Sequence, residues 1–221
     1  MYPLRKTWSS IKQANLFTTM LLCALLAGLV LVCSIWTITW ITDRFVALEK
    51  GWLDTLLNWI VALISGVAGW FVLPALTVLI SSLFQESVIQ RVERLEYPQS
   101  HRNVTFGFWP ELWHDIKFTA EAIGWNILVL PCYFLGIGFP VSILLNAYLL
   151  GREFFESAAG YHLGKTEARI LGKHHWKSIY IGGLTITVLS LIPLINLFVP
   201  IFAVVWMVHL YHAIQPPDKT R

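Results

Sequence analysis

At 221 residues the chain is 56% hydrophobic and only 13% charged, about half the charge of a typical soluble domain. Its net charge of +3 is too small to mark a nucleic-acid-binding surface. Cys23, Cys33 and Cys132 all lie within apolar blocks, which speaks against a disulfide framework.

Four uncharged blocks account for the missing charge: Gln13 to Thr42, Thr55 to Gln85, Ala122 to Gly151 and Ser178 to Pro217. Each exceeds the roughly 20 apolar residues that cross a bilayer as a helix. Backbone polar groups in lipid must be satisfied within the segment, so an all-α integral membrane protein of a single domain is expected. The first block reads as one uninterrupted membrane helix over 16–41. It lacks the short apolar core and cleavage site of a secretory signal, and Val32 before Cys33 does not fit a lipoprotein site. Trp36 and Trp40 close this helix, and Trp52 and Trp59 open the next block, as interfacial rings do. The second helix spans 56–97. Pro74 kinks it, "QESVIQRVERLEYP" extends it into the cytoplasm, and Pro98 stops it near Tyr97. Residues 108–118, "FWPELWHDIKF", set Phe108, Trp109, Leu112, Trp113 and Ile116 opposite Glu111, His114, Asp115 and Lys117. This predicts a surface amphipathic helix, lying on the bilayer or packed on the other helices.

The third block contains Pro131 and then "GIGFP", whose two glycines and proline make a turn. The fourth is broken by Pro193, Asn196 and Pro200 in "LSLIPLINLFVPIFAVVW". Both read as Pro/Gly-broken helical hairpins, over 122–151 and 178–214, joined by a cytoplasmic basic loop over 152–177. The basic residues favour this. If every block crossed once, lysine and arginine would divide nine inside to seven outside; if both hairpins return, fourteen of the 16 lie inside, as the cytoplasmic excess of basic residues requires. Two long helices and two hairpins make six membrane helices, with both termini cytoplasmic. Whether the hairpins cross fully or turn back half-way leaves this count unchanged.

The segments "LLNAYLLGREFFESAAGYHLGKTEAR", "GKHHWK" and "LIPLINLFVPIFAVVWMVHLYH", with "FVLPALTVLISSLFQESVIQRVERLEYP" before them, resemble the CysZ-like, etoposide-induced-protein family of bacterial inner-membrane proteins. The resemblance covers about residues 15–214. It implies two long membrane helices with two re-entrant hairpins, a homo-oligomer, and sulfate uptake for cysteine synthesis in the family's best-known branch. The sulfate permeases of that family carry a Gly-Leu-Arg-type anion-binding stretch near the start of the first membrane helix. Here that region reads "IKQANLFTTMLL", with Lys12 its only cation.

Glu86, Gln90, Arg91, Glu93 and Arg94 fall at helical spacing on the second-helix extension. They can line an anion pathway, a role the resemblance also implies, or form a solvated face with weak ion pairs. Pro140 and Pro200 suit the first turns of returning helices, whose free N–H groups can hold an anion. Ser142, Asn146 and Asn196 lie close enough to assist there, or only to satisfy the turns. Tyr148, Arg152 and Glu156 share one face, with Glu153 beside them; Arg152, Glu153 and Glu156 read as a structural ion pair pinning the helix exit. His209 and His212 read as interfacial residues rather than metal ligands. No catalytic motif, cofactor or metal site is indicated. An anion transporter or channel, with a small sulfate-like anion and the lipid bilayer as partners, is expected. A non-transporting scaffold or stress-related factor acting through cytoplasmic loops is the alternative.

Overall fold

The computed structural model describes residues 4–45, 59, 76–100 and 107–215, and among these it is helical with no strand. In chain order the helices are α1 Leu4–Gln13, α2 Leu16–Phe45, α3 over residues 76–96, α4 Phe108–Phe134, α5 Gly138–Leu163, α6 Lys165–His174, α7 Trp176–Ser190, α8 Pro193–Asn196 and α9 Val199–Ile214. Pro74, Trp52 and the first part of the second helix lie outside the described residues.

Helix α1 was not foreseen. It ends at Gln13, and the chain turns into α2 at Asn15, whose φ of 53° is a left-handed conformation that asparagine tolerates. Helix α2 is apolar on all sides, so no polar face dictates its packing. Leu16, Met20, Cys23 and Ala27 are buried, one stripe at helical spacing, while Leu25, Leu29, Trp36 and Trp40 are exposed. Leu16–Trp40 is the one helix among the described residues long and apolar enough to cross a membrane. At 1.5 Å per residue its length is about 37 Å, more than the hydrocarbon core needs.

Helix α3 ends at residue 96, just before Pro98, as expected. Residues 108–118 are not a separate surface helix, because α4 runs unbroken from Phe108 to Phe134 with Pro131 inside it. No glycine pair or second proline interrupts the junction, so the helix continues from amphipathic to apolar sequence. Trp109, Trp113 and Ile116 point outward, whereas His114 is half-buried against Glu156 and the exposed Asp115 bonds Lys165.

Gly136, at φ 75°, makes the α4–α5 turn where the sequence placed it. The region 152–177 is not a loop. Helix α5 continues to Leu163, α6 follows after a turn at Gly164, and α7 begins at Trp176. Helix formers fill "REFFESAA", and Phe154, Phe155, Ala158 and Ala159 are buried in the core, so packing favours extending the helix over a loop.

Helices α5 and α7 cross with almost no space between backbones. A Cβ on Gly183 would lie 1.9 Å from the Ala147 carbonyl oxygen and 2.7 Å from Gly151 Cα. Small residues one turn apart permit such an approach. Helix α9 occupies the centre: every side chain from Ala203 to Tyr211 is buried. Pro200 sits in its first turn, as predicted, and Pro140 is the third residue of α5. The core gathers α1, the starts of α2 and α6, and parts of α3, α5 and α7 around α9.

Candidate functional site

The second-helix extension splits its polar residues between two directions. Glu86, Arg91 and Arg94 are exposed and Gln90 is half-buried, but Val92 and Glu93 turn inward. Arg91 reaches Thr19 of α2, Nη1 to Oγ1 3.4 Å. Glu93 is 5% exposed and its Oε1 accepts from Nε2 of His162 at 2.7 Å and from Nε2 of His212 at 2.9 Å. Burial pushes the Glu93 carboxyl up, but hydrogen bonds and attraction from His162 and His212 outweigh it and leave the group below the usual carboxylate range. Three elements meet here: α3, the extended end of α5 and the end of α9.

His209, which the sequence paired with His212, belongs to a different group. Its Nδ1 lies 2.9 Å from Tyr97 Oη and its Nε2 3.0 Å from Ser10 Oγ. Ser10 in turn donates to Glu96 at 2.9 Å. His162 was not singled out in the sequence. Nothing local marks it, because Glu93 lies 69 residues from His162 and 119 from His212 along the chain.

A second polar centre forms where α4, α5 and α6 meet. Arg152 Nε donates to Glu156 Oε1 at 2.8 Å and Nη1 to Glu121 Oε1 at 2.9 Å. The guanidinium also sits over the Phe118 ring, 4.8 Å from its centroid. Glu156 Oε2 takes a further contact from His114 Nε2 at 2.7 Å, and Arg169 reaches Glu121 at 3.2 Å. Burial opposes the charge on Arg152, and Glu156 and Glu121 more than restore it. The expected pairing with Glu156 is present, and Glu121 is a partner the sequence did not suggest. Glu153, by contrast, faces the groove shared with Asp115, Ser157 and Lys165, where Lys165 bonds Asp115 at 2.6 Å. Adjacent helical positions point about 100° apart, so Arg152 and Glu153 cannot share one partner.

One guanidinium nitrogen, Arg152 Nη2, is buried with no hydrogen-bond partner among the described residues. A cavity of about 90 Å³ lies nearby, lined by Tyr148, Arg152, Glu156, Arg169, Lys173 and Tyr180 among others. By that measure it holds a few waters or one small oxyanion. Ser142 bonds Tyr133, Oγ to Oη 2.6 Å, and lines a separate groove with Asn126 and Glu153. Asn146 and Asn196 are half-buried on α5 and α8. The residues proposed for an anion path are therefore divided among several places within the chain.

Among the described residues the protein is all-helical and has one apolar helix of membrane length, which is consistent with a membrane protein. A profile of the family described as sulfate transporter CysZ/etoposide-induced protein 2.4 matches residues 4–200, and the chain belongs to that family. No curated protein and no solved structure matches it.

Proposed function

We propose that the chain is an anion transporter or channel of the bacterial inner membrane, with sulfate the first candidate substrate. Family membership supports the class. The observation that carries the reading in this chain is the cavity lined by three cationic side chains, Arg152, Arg169 and Lys173. Guanidinium and ammonium groups converging on one small cavity suit a tetrahedral oxyanion. In this reading α4–α5 and α7–α9 are re-entrant hairpins, both termini are cytoplasmic, and subunits associate into a homo-oligomer. Arg91 and Arg94 then attract anions at the mouth, with Glu86 holding the arginines in place, while Ser142, Asn146 and Asn196 serve the hairpin turns.

Labelled sulfate uptake into proteoliposomes tests this. The parent protein should carry flux, Lys173→Gln should reduce it, and Arg91→Ala with Arg94→Ala should reduce it further. Absence of flux for sulfate and every other small anion tried would remove the proposal. The scaffold alternative draws on the exposure of Arg91 and Arg94, which suits a contact surface.

A further inference from the structure

The Glu93 cluster has the composition of a metal site. Glu93 Oε1, His162 Nε2 and His212 Nε2 lie within 4.8 Å of one another, on side chains only 6–9% exposed. Both rings are braced: His212 stacks on Tyr97 with centroids 3.8 Å apart and planes at 17°, and His162 stacks on Tyr211 at 5.5 Å and 10°. Two imidazoles and one carboxylate suit zinc and its first-row neighbours, whereas magnesium and calcium prefer oxygen alone. Three protein ligands also leave a position for water. The Tyr211 hydroxyl, on the ring against His162, is buried and without a hydrogen-bond partner among the described residues, and a water in the open position is a candidate partner for it.

We propose that Glu93, His162 and His212 bind one divalent transition-metal ion of the zinc class, tying α3 to the ends of α5 and α9. Donors around a tetrahedral ion at 2.0–2.1 Å stand about 3.4 Å apart. The present contacts of 2.7 and 2.9 Å must therefore open by about half an ångström. Each ring must also carry its proton on Nδ1, so that Nε2 presents a lone pair. Both changes are small because the donor atoms already converge.

The test uses the full chain purified in detergent at neutral pH, with Zn²⁺ and Co²⁺ as probes. Equilibrium dialysis should give about one Zn²⁺ per chain, and Co²⁺ should give a tetrahedral visible band that Zn²⁺ removes. Binding should disappear in His162→Gln and His212→Gln and persist in His174→Gln/His175→Gln. His162→Cys and His212→Cys provide a positive readout, a new thiolate-to-cobalt charge-transfer band. No stoichiometric zinc on the parent, binding unchanged in both glutamine variants, or binding that depends on His174 and His175 would each overturn the site. Sulfate flux is not part of the readout, so this result stands or falls apart from transport.

Discussion

Arg152 shows how a buried charge is tolerated in this chain. Its two donors to Glu156 and Glu121 replace water, and its removal leaves Glu156 with His114 and Glu121 with Arg169 as their remaining partners. Arg152→Ala should therefore destabilise the protein by about 3–5 kcal/mol, read from thermal unfolding in detergent. Changing Arg152 and Glu156 together should cost less than the sum of the single changes, because the two share one network. The same network has an acid limit. Burial raises the Glu121 carboxyl, but the Arg152 hydrogen bond and the charges of Arg152 and Arg169 outweigh this, and it titrates below its ordinary 4.5. A depressed folded value stabilises the protein above the unfolded one and is lost as pH falls through it. Melting temperature should drop on acidification below about pH 4.5, and Glu121→Gln should flatten part of that fall.

Among the helices, the α5–α7 crossing has the least tolerance for added volume. A methyl on Gly183 meets backbone rather than a flexible side chain, so the helices themselves must separate. Gly183→Ala should cost at least about 1–3 kcal/mol, the range for overpacking. Gly28 on α2 has nothing within 4 Å of an added Cβ. Gly28→Ala should be neutral or stabilise by up to about 1 kcal/mol, since alanine is the better helix former. Thermal melts of the two variants side by side separate crowding from propensity. Helix α4 offers a related contrast: its tryptophans face outward while His114 and Asp115 bond to α5 and α6. The sequence pattern identified the two faces, but only the packing assigned the polar one to the protein.

For the molecule as a whole, the re-entrant reading puts Gln99 and Lys173, both exposed, on one side of the membrane. With Cys23, Cys33 and Cys132 replaced, single cysteines at these positions should react with an impermeant thiol reagent from the same side. Labelling from opposite sides would mean that α4 and α5 deliver the chain across the bilayer, and the hairpin reading would fail. The concentration of ion pairs where α3, α5, α6 and α9 end fits one wetted side, where charge costs less than in lipid.

The sequence by itself determined the helical membrane class, the break at Pro98, the turn at Gly136, the proline that starts α9 and the Arg152–Glu156 pair. Each is set by local chemistry: apolar run length, the missing proline N–H, glycine at positive φ, and i, i+4 spacing. Tertiary structure alone decided that 152–177 is helical, that α9 is the core, that Glu93 turns away from Arg91 and Arg94, and that His162 joins it. Those outcomes depend on which surfaces bury one another, and residues distant in the chain meet only when the helices pack.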